Sequence, residues 1–193
     1  MRLIFISLIA LVIATGVGLG MTWTTSTRGL SFDALKIGPW TAWPRTGTAE
    51  IDPYARASVA RSGELPIGSG DGVAFVASAD DKGRPLDGRC DVTVSGITPA
   101  ARFWTLTLYD SAGKPADTPL VRNSFSSAEL VRDQGGAFAI VISREAQSDN
   151  WLMMPESGEV SLVLRLYDSP ASVGSAALDA RVLPRIERLE CAA

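Results

Sequence analysis

Histidine is absent from the 193-residue chain. Without it, a Ser-His-Asp or Cys-His nucleophile system cannot be built. The common zinc sites lose their main nitrogen ligand. Acid–base chemistry near pH 7 would fall to a strongly shifted carboxylate, tyrosine or lysine. Cysteine is nearly absent, with Cys90 and Cys191 the two present. Lysine is scarce as well, at Lys36, Lys82 and Lys114. The net charge is −3 and no basic block occurs, which argues against a nucleic-acid partner. Asp80, Asp81, Asp87 and Asp91 are close in sequence, but calcium needs six or more converging oxygens and the spacing matches no recognised calcium loop. These aspartates read as a solvated hairpin. No metal and no cofactor are expected.

What the chain does have is a long apolar run. Leu3 to Trp23 contains no charged side chain, directly after Met1-Arg2. As a helix it would span roughly 32 Å, about the thickness of a bilayer's hydrocarbon core. It is longer than a signal-peptide core and no Ala-x-Ala cleavage site follows it, so residues 1–23 are expected to be a transmembrane anchor or an uncleaved signal, with the lipid bilayer as partner of residues 3–23. Arg2 favours a cytoplasmic N-terminus, against a weaker opposing pull from Arg28. Gly16 and Gly20 have the spacing that packs two membrane helices, although small residues are common in any export segment. In an oxidising compartment, two cysteines far apart read as one disulfide, Cys90–Cys191. Two free thiols and an intermolecular bond are the alternatives.

Residues 24–48 read as a stalk or linker, because Gly38-Pro39-Trp40 and Trp43-Pro44 interrupt regular structure. Trp40 and Trp43 could instead pack back on the domain. Residues 49–193 read as the folded domain. Asp52 is a suitable N-cap and Pro53 suits the first position of a short helix that Gly63 would stop. From Val73 onward the apolar period is two. Trp104, Leu106 and Leu108 share one face, as do Phe138, Ile140 and Ile142, and Val160, Leu162, Leu164 and Leu166. Strands are also expected around Val92 and Val94 and from Pro184 to Cys191. A short helix is expected from Ser126 to Leu130 and a loop from Ser169 to Ala180. This pattern predicts a mainly β fold: an antiparallel β-sandwich or jelly-roll-like barrel, with one N-terminal transmembrane helix and one or two short helices.

Several phrases then carry a resemblance. Phe103-Trp104-Thr105-Leu106-Thr107-Leu108-Tyr109-Asp110 resembles the strand and turn of the family called domain of unknown function 1214. Asn150-Trp151-Leu152 followed by Pro155 is similar to its Asn-Trp-Leu-x-x-Pro segment, and Leu162 to Tyr167 is similar to its last core strand. Asp52-Pro53-Tyr54, Leu65-Pro66, Asp87-Gly88 and Pro184 to Cys191 suit membrane-attached members. The resemblance covers roughly residues 37–191, and the family is similar to domain of unknown function 1254. It implies a β-rich fold and an exported bacterial protein. Together with the apolar run and Arg2, it gives the expected location as the bacterial inner membrane, crossed in a single pass with the C-terminal domain in the periplasm. It carries no established activity and therefore no catalytic residues.

Three groups of residues are candidates for binding. The polar faces of two strands hold Thr105, Thr107 and Tyr109 on one and Arg165 with Tyr167 on the other. Tyrosine with arginine can stack on a sugar or grip an anion bidentately, and a solvated sheet face is the plainer alternative. Asn150 and Trp151 fit a recognition loop or a plug closing the sandwich, with the amide satisfying turn backbone. Arg122, with Asn123 and Ser124, can orient a ligand or begin a turn. Tyr109, Arg165 and Tyr167 are expected to line one groove, with Trp151 near its mouth. The function read from sequence is an envelope binding or accessory module for a small polar or anionic ligand. The alternatives are an enzyme with a carboxylate- or tyrosine-based site for a carbohydrate-like substrate, and a structural subunit of an envelope complex.

Overall fold

The structure is a computed structural model and describes residues 2–27, 34–62, 65–97, 101–156, 158–169 and 183–191. The expected loop from residue 170 onward and the expected helix stop at Gly63 lie outside the described residues. The chain divides into two units, Met1–Phe32 with Arg45–Pro66, and Asp33–Pro44 with Ile67–Ala193.

The first unit holds two helices. Helix α1 runs Arg2–Thr27, and the stretch Arg2–Thr24 is long and apolar enough to cross a membrane. Near its end Thr22 and Thr24 donate their hydroxyls to the carbonyls of Gly18 and Met21. Helix α2 runs Pro53–Ser62. Asp52 caps it as expected, its carboxylate accepting from the amides of Tyr54 at 2.8 Å and Ala55 at 3.2 Å.

The second unit is a two-sheet sandwich. Its strands are β1 (Leu35–Ile37), β2 (Trp40–Ala42), β3 (Gly72–Ala77), β4 (Cys90–Gly96), β5 (Phe103–Asp110), β6 (Ser124–Ser126), β7 (Phe138–Ser143), β8 (Trp151–Met153), β9 (Val160–Tyr167) and β10 (Arg185–Cys191). One sheet has the order β1-β2-β3-β9-β5-β6 and the other β10-β4-β7-β8. The expected alternation faces inward. Val73, Phe75, Trp104, Leu106, Leu108, Leu162, Leu164 and Leu166 of the first sheet meet Val92, Val94, Phe138, Ile140, Ile142, Leu152 and Ile186 of the second in one core. Trp104 and Phe138 bridge the sheets with ring centroids 5.3 Å apart, and the Arg132 guanidinium lies 5.7 Å from each ring.

Three expectations are corrected. Leu35–Ala42 lies within the stretch read as a linker, yet it supplies β1 and β2. Trp40 is buried and donates its indole N–H to the Pro184 carbonyl at 2.7 Å, so this stretch belongs to the sandwich. Ser126 ends strand β6, and the expected helix to Leu130 is instead a turn, with the Ser126 amide donating to the Glu129 carboxylate. Trp151, expected in a loop, opens β8, which pairs with β7 in parallel, so the second sheet is mixed.

One turn recurs three times. Asp80, Asp110 and Asp133 each accept, through Oδ1, from the amides two and four residues on. The third residue after each is a glycine at positive φ, namely Gly83, Gly113 and Gly136. The side chain folds the backbone over and the glycine takes the left-handed position that completes the turn. Gly72 meets a different demand, since a Cβ there would run into the Leu166 carbonyl of the neighbouring strand.

The expected disulfide forms. Cys90 and Cys191 are register partners on β4 and β10, bonded with Cα atoms 3.9 Å apart. The far side of β10 is also covered. The Asp81 amide donates to the Ile186 carbonyl at 2.9 Å, and the Ile186 amide donates back to the Asp81 carboxylate at 2.7 Å.

Candidate functional site

The outer face of the six-stranded sheet carries the strongest cluster. Parity turns Phe103, Thr105, Thr107 and Tyr109 of β5 outward, because Trp104, Leu106 and Leu108 point in. Ser161, Val163, Arg165 and Tyr167 of β9 turn outward for the same reason. Register then joins the two rows: Phe103 opposite Tyr167, Thr105 opposite Arg165, Thr107 opposite Val163, and Tyr109 opposite Ser161.

Arg165 and Tyr109 therefore start two rungs apart, and the arginine closes the distance. Its Cζ lies 5.4 Å from the centroid of the Tyr109 ring, within the range of a cation–π contact. Reaching there takes the side chain past the rung of Thr107 and Val163. Val163 is 6% exposed although it faces away from the core. Tyr167 packs instead on Phe103, with centroids 6.0 Å apart.

On the other flank the residues are small. In register, β3 sets Ala74 beside Arg165 and Gly72 beside Tyr167. Gly72 has no side chain because the Leu166 backbone lies against it, and the Ile67 side chain packs close to the same position. The face thus offers two phenol rings, one guanidinium and the hydroxyls of Thr105, Thr107 and Ser161. A guanidinium supplies paired donors for a carboxylate or phosphate, and phenol rings supply flat apolar faces with a polar tip.

Tyr109, Arg165 and Tyr167 thus share one face, and Phe103 joins them. Phe103 was missed as a candidate, although it shares the parity of Tyr109 and that signal was available in the sequence. The remaining candidates lie elsewhere. Trp151 does not flank this face. It belongs to the four-stranded sheet, with parity opposite to buried Leu152, and donates its indole N–H to the Ser143 carbonyl at 3.0 Å. Buried Asn150 accepts from the Val131 amide at 2.8 Å and donates to the carbonyls of Val131 at 2.8 Å and Ala139 at 3.0 Å. It ties a loop to β7, which is the plug alternative. Arg122 donates from Nε to the Trp151 carbonyl at 2.7 Å, and its guanidinium lies 5.2 Å from the Phe125 ring. Its carbonyl accepts from the Met153 amide at 2.9 Å. The chain thus runs from the edge of β8 directly into β6 and stitches the two sheets along that side.

The acidic hairpin is not wholly solvated. Asp80 is 2% exposed and forms an ion pair with Arg84 at 2.6 Å. Burial pushes its carboxyl up from 3.8, but the hydrogen bonds and charge of Arg84, with the Lys82 amide, outweigh that and hold it lower. Asp87, which is paired with Arg89 at 2.9 Å, is lowered to about 2, first by the Arg89 side-chain hydrogen bond. Among the described residues, no group of three or more Cys, Asp or Glu is placed to hold a metal ion.

A family described as "Protein of unknown function (DUF1214)" matches residues 71–171, a span that contains β3 through β9 and every residue of the outer-face cluster. No curated protein matches the chain. Among solved structures, the VPA0106 protein of Vibrio parahaemolyticus aligns with a TM-score of 0.59 at 21% identity, over 71% of this chain and 35% of its own. A putative uncharacterized protein from Burkholderia cenocepacia aligns over 93% of this chain and 53% of its own, with a TM-score of 0.43 at 18% identity. The chain therefore spans about a third to a half of these relatives. The first likeness shows the shared fold.

Proposed function

The chain belongs to the DUF1214 family, and from that premise we propose that it is a membrane-anchored binding module of the bacterial envelope. Helix α1 holds it in the inner membrane, and the sandwich works in the periplasm. The ligand is a small polar molecule that is anionic or polyhydroxylated. The observation that carries this reading is the guanidinium of Arg165 held over the Tyr109 ring, with Tyr167 and Phe103 on the same face. An oxidised Cys90–Cys191 pair suits a compartment outside the cytoplasm.

The test is native mass spectrometry of the full chain, extracted from the membrane in mild detergent, against Arg165→Ala and Arg165→Lys. A co-purified anionic or polyhydroxylated ligand is expected on the wild type and absent from Arg165→Ala. Arg165→Lys keeps a charge and most of the stem but loses the paired donors, so it should retain partial occupancy. The alanine variant should lose about 1 kcal/mol of stability or less, from the lost ring contact. Equal ligand occupancy in the wild type and Arg165→Ala would refute the assignment.

A further inference from the structure

The first unit holds a second cationic surface. At the end of helix α1 stands Trp23, and the Cζ of Arg61 lies 5.6 Å from its ring centroid. Tryptophan favours the headgroup level of a bilayer, where its ring is half in hydrocarbon and its N–H meets water. A guanidinium stacked on that ring sits at the same depth, and it brings with it the end of helix α2, to which Arg61 belongs.

The composition of α2 fits that depth. Ala55 and Val59, four apart and on one face, are half-buried, while Tyr54, Arg56 and Arg61 are exposed. Arg45 is exposed in the short 3-10 turn Pro44–Gly47 that precedes the helix. Of the acidic residues in this stretch, Asp52 is turned onto the helix amides as the cap and Glu50 is exposed ahead of it. Arg56 donates to the Ala49 carbonyl through one guanidinium nitrogen at 3.3 Å, which leaves further donors on the same group. An aromatic belt with arginines at its level matches the phosphates of acidic phospholipids in charge and hydrogen bonding.

We propose that α2 is an interfacial helix that lies on the outer leaflet of the membrane α1 crosses, with Arg45, Arg56 and Arg61 contacting anionic phospholipid headgroups. This rests on α1 being a membrane span. The partner differs from the ligand of the sheet face, and so does its recognition, by separate arginines on a helix surface. A juxtamembrane arginine contributes about fivefold to association with an acidic surface; Arg45, Arg56 and Arg61 against Glu50 and Asp52 leave one net positive charge, so the helix should prefer phosphatidylglycerol to phosphatidylcholine by about fivefold.

The experiment places a nitroxide at Ala60→Cys, attached after the native disulfide has formed, in the full chain. The chain is reconstituted into vesicles of phosphatidylcholine with or without phosphatidylglycerol. Flotation reports whether the chain stays with the vesicles, and collision with oxygen and with a water-soluble nickel chelate reports the depth of the label. The expected result is flotation in both lipids. With phosphatidylglycerol the label should sit at headgroup depth, and Arg56→Gln with Arg61→Gln should return it to water. A label equally open to the chelate in both lipids, on a chain that floats, would overturn the interfacial helix while leaving the anchor intact. A chain that does not float would overturn the anchor and the helix together.

Discussion

Substituting Cys191 with serine opens a loop whose ends are 101 residues apart in sequence. In the chain-entropy treatment, a loop of that size constrains the unfolded chain by about 4.7 kcal/mol. For a domain of this size each kcal/mol moves the melting midpoint by roughly 2–4 °C, so Cys191→Ser should melt about 10–19 °C lower. The choice of residue matters. Cys191 is exposed and Cys90 is buried, so a serine at 191 adds no buried polar group and leaves a small apolar thiol at 90. The measurement is near-ultraviolet circular dichroism of the full chain on heating. A control adds reductant to the wild type, which should fall to the midpoint of the variant. Cys90→Ala and the double variant should match Cys191→Ser to within about 1 kcal/mol, because one bond is lost in every case. A loss under about 1 kcal/mol for Cys191→Ser, or reductant-insensitive melting of the wild type, would refute the reasoning. Either result would mean that β10 holds to β4 and Asp81 without the covalent link.

Two further perturbations test the supports of the sandwich. Asp80→Asn removes the charge that faces Arg84 and should cost about 2 kcal/mol at pH 7. Because the Asp80 carboxyl is lowered from 3.8 in the folded chain, its contribution is complete above that value and lost as pH falls through the lower folded one. The difference between wild type and variant, followed by urea unfolding, should therefore shrink below about pH 4, and a gap that widens in acid would contradict it. Asn150→Ala strands the amide and carbonyl of Val131 and the carbonyl of Ala139, and should cost about 2–4 kcal/mol. Hydrogen exchange should show the Val131 amide opening first, and unchanged protection there would remove Asn150 from its tethering role.

Much of the fold was legible because the long strands repeat their pattern enough times to be read. Trp104, Leu106 and Leu108 alternate through eight-residue β5, and Leu162, Leu164 and Leu166 do so through eight-residue β9. The strands that escaped are β1, β2, β6 and β8, each three residues long. Three residues cannot display a period of two, and Pro39 and Pro44 beside β2 look like interruptions until Trp40 is seen to reach Pro184. The candidate site divides in the same way. Parity put Arg165 beside Tyr167 and gave Tyr109 its side, since it is a property of a single strand. Which strands are neighbours depends on the whole chain, and that pairing brings Arg165 to Tyr109 and sends Trp151 to the other sheet. A buried asparagine and a binding asparagine look alike as letters, so the role of Asn150 became readable through its three partners.

The strand order also sets a timetable for the chain as it is made. The three aspartate turns need nothing beyond five consecutive residues, so they can form as each segment emerges. The sheets cannot follow at that pace. Strand β3 has to wait for β9, which lies between it and β5, and β4 waits for β10 on its outer side. During that interval the apolar faces of Val73, Phe75, Val92 and Val94 are without their cover, which is the interval in which a holdase chaperone would be needed. The thiol of Cys90 waits over the same stretch of synthesis. With two cysteines in the chain, it has a single partner within its own molecule, so no isomerase is required to correct a wrong bond. The delay exposes the chain to aggregation, while its oxidation step has one internal outcome.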